Sequence, residues 1–146
     1  MVGHTGLDTG KLCLPGTEEQ VRVLVIDDDK FLSGIYVITL ERAGIDIKIA
    51  SSGEEGIAAV NEFRPHIIFL DVLMPGMDGF EVIKQLKQDE RSAHVPVVFL
   101  TSLSQKEDME RGMSLGADDY LKKTQTLPID SLGAVRKILK LEDEYV

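Results

Sequence analysis

The sequence predicts an α/β protein: a five-stranded parallel sheet, doubly wound, with helices on both faces. Three observations carry this. Short apolar runs alternate with stretches of helical periodicity across residues 21–141. The central runs are apolar at consecutive positions, as in strands buried on both faces. Several of them also end in polar residues, which an open parallel sheet gathers at the C-terminal ends of its strands.

The first strand is Val21-Arg22-Val23-Leu24-Val25-Ile26, rich in β-branched residues and ended by Asp27-Asp28-Asp29. Phe31 to Ala43 then places Leu32, Ile35, Tyr36, Thr39 and Leu40 at helical spacing, and Gly44 is the expected C′ stop. Ile45-Asp46-Ile47-Lys48-Ile49 alternates like a half-buried edge strand. Ser52 and Glu55 form a capping box for a helix that runs through Ile57, Val60 and Phe63 to Arg64, before Pro65.

Ile67-Ile68-Phe69-Leu70 is the third strand, closed by Asp71 and followed at once by Val72-Leu73-Met74-Pro75-Gly76-Met77-Asp78-Gly79. Pro75, Gly76 and Gly79 cannot extend it. A helix from Gly79 to about Glu90 carries Phe80, Val82, Ile83 and Leu86 on its apolar face. Pro96-Val97-Val98-Phe99-Leu100 is the fourth strand, ended by Thr101-Ser102, and Ser104 with Glu107 caps a helix that stops at Leu115-Gly116. Tyr120-Leu121-Lys122-Lys123 is the fifth. A helix from about Ile129, with Leu132, Val135, Ile138 and Leu139 inward, closes the domain at 141.

The right-handed crossover rule leaves few topologies for such a chain, and the flavodoxin-like order 2-1-3-4-5 is a common one. It makes strands one, three and four neighbours, so Asp27, Asp28, Asp71 and Thr101 meet at one edge of the sheet. A single Asp before a turn is ordinarily a turn former, and that reading is kept for Asp29 and Asp78. A cluster of acids and a hydroxyl at adjacent strand ends is a functional constellation instead.

Composition bounds the rest. At 146 residues, 43% hydrophobic and 28% charged, the chain fits one globular domain. The net charge of -9 argues against direct binding to nucleic acid or to an anionic membrane, which needs clustered Lys and Arg. One cysteine, Cys13, permits no intrachain disulfide, and no Cys/His spacing suits zinc. With no apolar leader or span, a cytoplasmic protein is expected. Residues 1–20, holding Gly3, Gly6, Gly10, Pro15 and Gly16, are expected to be a flexible extension, and residues 142–146 a short acidic tail. His66 and His94 sit beside prolines at loop ends and receive no role.

Four motifs now stand together: Val-Leu-Val-Ile-Asp-Asp-Asp at 23–29, Leu-Asp-Val-Leu-Met-Pro-Gly-Met-Asp-Gly at 70–79, Phe-Leu-Thr-Ser at 99–102 and Gly-Ala-Asp-Asp-Tyr-Leu-Lys-Lys at 116–123. In order and spacing the chain from about 21 to 141 resembles the receiver domain of bacterial two-component response regulators. The resemblance implies that Asp71 is the phosphoacceptor, taking a phosphoryl group from a sensor histidine kinase or a histidine phosphotransfer protein. It implies that Asp27 and Asp28, with Asp71 and the backbone carbonyl of Leu73, hold Mg2+. Thr101 becomes the hydroxyl that bonds the phosphoryl group, Tyr120 the aromatic that turns inward when it does, and Lys123, rather than Lys122, the cation on the phosphoryl oxygens. The face of residues 104–141 would carry the signal and is a candidate surface for pairing with a second copy. Such a chain is a signalling phosphoacceptor and not an enzyme; it assists only its own phosphorylation and dephosphorylation.

The chain departs from the resemblance at Thr124, where receivers carry proline after a cis peptide bond. A cis bond before a non-proline residue costs about 2.5–4 kcal/mol. The expectation is therefore a trans Lys123-Thr124 bond, with room for the Lys123 amine to be displaced. Leu73, apolar beside the phosphoryl site, is expected to shield the acyl phosphate from water.

Two rivals remain. Asp27-Asp28-Asp29, Thr101 and Asp118-Asp119 have the shape of haloacid dehalogenase-type phosphatase motifs, although the lysine falls on the wrong side of the acidic pair and Asp71 is left unexplained. A receiver fold that binds partners without phosphorylation is the other, kept open by Thr124.

Overall fold

The computed structural model describes residues 10–103 and 105–141. They form β1 (Arg22–Ile26), α1 (Lys30–Arg42), β2 (Asp46–Ala50), α2 (Gly53–Phe63), β3 (Ile67–Leu70), α3 (Gly79–Gln88), β4 (Val97–Thr101), α4 (Lys106–Ser114), β5 (Asp119–Lys122) and α5 (Pro128–Ile138). All strand pairs are parallel, in the expected order β2-β1-β3-β4-β5.

Alternation along the strands divides the core in two. Leu24, Ile26, Ile68, Leu70, Val97 and Phe99 face α2 and α3 through Ala59, Val60, Phe80, Val82, Ile83 and Leu86. Val23, Val25, Ile67, Phe69, Val98 and Leu100 face α1 and α5 through Tyr36, Val37, Leu40, Ala134 and Val135. Both faces of the sheet are thus covered, which is why its central strands read as unbroken apolar runs. At roughly 1.5–3 kcal/mol for each large side chain removed from water, this double burial is the main force holding the strand ends in register.

Boundaries differ from the sequence reading by a residue or two, for identifiable reasons. α1 starts at Lys30, where the Asp29 carboxylate accepts the Phe31 amide at 3.1 Å, and Gly44 ends it at φ 89. α3 stops at Gln88 rather than Glu90 because Asp89 leaves the helix and accepts the amides of Ser92 and Ala93 in a turn. Asp78, read as a turn former, is the N-cap of α3, its carboxylate accepting the Glu81 amide at 2.9 Å. Ser104, expected to cap α4, lies outside the described residues; Gln105 occupies the N-cap and makes no side-chain cap bond. α5 begins at Pro128, whose missing N–H costs nothing at a helix start.

The capping of α2 follows expectation. Ser52 Oγ accepts the Glu55 amide at 3.1 Å, while Glu55 Oε1 reaches one residue further back, to the Ser51 amide at 3.2 Å. Ser52→Ala should lower stability by about 1 kcal/mol, read as a lower urea midpoint at unchanged m-value.

Residues 10–20 are tied to the end of the sheet away from the strand C-termini. Leu12 N–H donates to Gly44 O at 2.8 Å, Val21 N–H donates to Leu12 O at 2.8 Å, and Leu12 and Leu14 pack on the α1/α5 core. Glu19 bonds both Arg22 and His66, and the other ring nitrogen of His66 accepts the Arg22 amide at 2.9 Å.

Candidate functional site

Three strands end in the same way. Asp27 N–H donates to Ala50 O, Asp71 N–H to Ile26 O and Lys123 N–H to Thr101 O, at 2.8–3.0 Å. Each of these residues lies one step past its strand: the amide still belongs to the ladder, and the side chain has left it. The order of the sheet then brings the three together. Asp27, Asp28 and Asp71 each offer a carboxylate oxygen within 4.8 Å of the others; Asp27 and Asp71 are buried and Asp28 is exposed.

Lys123 Nζ lies 2.7 Å from Asp27 Oδ2 and 3.7 Å from Asp71 Oδ2. Burial disfavours the lysine charge, but the hydrogen bond to Asp27 and the charges of Asp71, Asp27 and Asp29 outweigh it, and its pKa is raised. At Asp71 burial wins instead, so the two groups' pKa values rise for opposite reasons. Burial, aided by the Asp27 charge, pushes its carboxyl above the ordinary range against the pull of Lys123, the Thr101 hydroxyl and the Leu73 amide. One lysine serving two buried carboxylates sits closer to Asp27, so Asp71 is the group left short of positive charge.

The oxygens of Asp71 are differentiated. Oδ1 accepts the Leu73 amide at 3.3 Å, and Oδ2 faces Lys123. The side chain of Leu73 stands 52% exposed at the rim. Hard carboxylate oxygens grouped at the strand ends, on two buried residues and one exposed one, suit a divalent cation that keeps part of its water shell.

Thr101 is fully buried, and its Oγ1 accepts the Leu103 amide at 3.3 Å. Tyr120 points inward against Phe99, with ring centroids 5.7 Å apart, and its hydroxyl donates to Leu103 O at 3.3 Å. Burial, with the nearby Asp108 and Asp71 charges, pushes the Tyr120 phenol up to about 12. The Leu103 backbone therefore connects Thr101 to Tyr120. A main-chain link of this kind leaves no trace in side-chain patterns, and sequence reasoning missed it.

Lys122, set aside in favour of Lys123, pairs in register with Thr101 inside the sheet. All described peptide bonds are trans, including Lys123-Thr124, in line with expectation. The amine is nevertheless not displaced. The Lys123 amide stays in the ladder on Thr101, and Gln125 N–H closes a turn onto Lys122 O at 2.9 Å, which keeps the side chain aimed at Asp27. Asp118, part of the phosphatase reading, is at the opposite end of the strands, where its Oδ2 accepts the Val97 amide at 2.9 Å.

The family model for the response regulator receiver domain matches residues 23–129. The chain is 42% identical over 122 residues to the DNA-binding dual master transcriptional regulator RpaA of Synechocystis, covering 84% of this chain and 50% of that protein. To the DNA-binding response regulator MtrA of Mycobacterium tuberculosis it is 36% identical over 123 residues, covering 84% and 52%. The chain thus spans about half the length of the curated relatives it matches. Among solved structures, a response regulator from Chloroflexus aurantiacus described as putative superposes with a TM-score of 0.77 at 30% identity, covering 82% of this chain and 98% of that one. No helix among the described residues is long and apolar enough to cross a membrane.

Proposed function

Because the chain belongs to the response regulator receiver domain family, whose members are the phosphoacceptors of two-component signalling, we propose that Asp71 is its phosphorylation site. An oxygen of Asp71 attacks the phosphorus of a phosphohistidine on a kinase or phosphotransfer protein. The P–N bond breaks, its electrons pass to the imidazole, and an acyl phosphate remains on Asp71. The observation that carries this reading is the state of Asp71: buried, oriented by Leu73 N–H and short of positive charge, beside two further carboxylates and a lysine.

The protein's own contribution is positioning and charge. Asp27, Asp28, Asp71 and the Leu73 carbonyl are the groups that would hold Mg2+, whose chemistry is to neutralise the phosphoryl oxygens. Lys123 turns from Asp27 Oδ2 to a phosphoryl oxygen on Asp71, a short movement from its present place. The Thr101 hydroxyl moves to donate to another oxygen and shifts the Leu103 amide that it accepts; because Tyr120 holds the carbonyl of the same residue, the change reaches the aromatic ring and the face of residues 104–141. That face, made of α4, β5 and α5, would pass the signal on by protein contact or by pairing with a second copy. Residues 21–141 are the receiver unit in this reading, working in the cytoplasm and assisting only its own phosphorylation and dephosphorylation. RpaA and MtrA are named as DNA-binding as whole proteins, and direct nucleic-acid contact by this acidic chain is not part of the proposal.

Incubation with Mg2+ and radiolabelled acetyl phosphate tests it. The expected result is an accumulating, hydroxylamine-labile label that EDTA prevents. Steady release of phosphate without a stable label, abolished by Asp27→Asn, would establish the phosphatase instead; the position of Asp118 already speaks against that enzyme.

A further inference from the structure

The lysine of the site sits at the start of the connection from β5 to α5, and that connection is held along its length. Its first residue, Lys123, donates its amide to Thr101 O at 2.8 Å, and at its far end Leu127 N–H donates to Asp130 Oδ2 at 2.8 Å. Between them, the Thr126 carbonyl accepts the hydroxyl of Tyr36 at 3.1 Å. Tyr36 lies in the middle of α1, only 7% exposed, with its ring in the α1/α5 core. Its phenol is close enough to feel the charges of both Lys123 and Asp130.

α1 grows directly out of the acidic loop that carries Asp27 and Asp28. Tyr36 therefore clasps together the two segments whose side chains meet as Asp27 and Lys123. One tie, the ion pair at 2.7 Å, must loosen when the lysine turns to a phosphoryl oxygen. The other, from a buried tyrosine to a backbone carbonyl, need not. We propose that Tyr36 is a positioning residue for phosphorylation, fixing the β5–α5 connection so that Lys123 keeps its reach to Asp71 without a proline at position 124. The inference rests on the reading of Asp71 as phosphoacceptor.

Tyr36→Phe removes one oxygen and keeps the ring in the core, so the fold survives. Labelling by Mg2+ and acetyl phosphate should slow by about tenfold, within the cost of misplacing a catalytic group by less than 1 Å. Amide hydrogen exchange at Gln125 and Leu127 should speed up while exchange in β1 and β3 stays unchanged. In a Lys123→Ala background, Tyr36→Phe should add nothing further, because the two act through one group. A wild-type rate in Tyr36→Phe, or an equal slowing in both backgrounds, overturns the positioning role. Label that persists in Asp71→Asn overturns the parent reading instead, so the two failures are told apart.

Discussion

Asp71→Asn should lose all labelling by acetyl phosphate and, in metal-free solution at neutral pH, unfold at a higher temperature than the parent chain. The first result follows from removal of the nucleophile. The second follows from its surroundings. The folded-state pKa of Asp71 is raised above the unfolded one, chiefly by burial, so the native chain holds a proton that the unfolded chain gives up. Ionisation therefore costs stability: the cost is absent below the unfolded carboxylate pKa, grows as pH rises through the interval between the two values, and is complete above the folded pKa. The neutral amide escapes it. A higher Tm than the parent's is expected at pH 7, the gain fading as the solution is acidified. Mg2+ should reverse the order, because it stabilises the parent and finds one carboxylate fewer in the variant. Calorimetry at pH 7 and pH 3.5, with and without Mg2+, checks all three statements.

Gly79→Ala should be the most destabilising small substitution in the β3–α3 region. A Cβ at 79 would collide with the carbonyl oxygen of Asp71, lie 2.7 Å from Val72 Cα and 3.0 Å from the Asp71 carbonyl carbon. These are backbone atoms, and no rotamer change relieves them. The Gly79 amide also donates to Val72 O at 2.9 Å, so helix and loop cannot part without losing that bond. A loss of about 3 kcal/mol is expected, at the upper end for overpacking, with phosphorylation impaired because the shift falls on Asp71 itself. Gly76→Ala is the control. Gly76 has φ 76 but open space around it, so its cost is conformational only, about 1 kcal/mol. Urea denaturation of the two variants separates collision from strain.

The strand order and the partners of Asp71 were legible because they rest on long apolar runs and on polar residues at their ends. Ile67 to Leu70 could only be a central strand, and whatever followed it had to emerge at the ligand edge. What escaped was carried by the main chain or by contacts remote in sequence. The Leu103 link between Thr101 and Tyr120 uses only an amide and a carbonyl. The Tyr36 clasp joins residues ninety positions apart, and Tyr36 itself read only as one more apolar position in α1. Asp78 was a turn former by statistics and a helix cap by geometry, since both uses draw on the same short carboxylate. Thr124 misled in one respect: the trans bond is present, yet the lysine is held by bonds on either side of it.

Gly44 joins two matters that looked separate, the end of α1 and the course of residues 10–20. Its carbonyl takes the Leu12 amide and the Gln20 side chain, and a Cβ on it would meet the backbone of Gly10, Lys11 and Leu12. In mechanical terms this is a peelable seam beside a shear-resistant plate. A pull on residue 10 loads a few bonds one after another, at Leu12 and then at the antiparallel bridge of Cys13 with Gln20, whereas the parallel strands behind them share any load across a whole register. The segment would come away at low force and leave the sheet, with Asp71 at its far edge, standing.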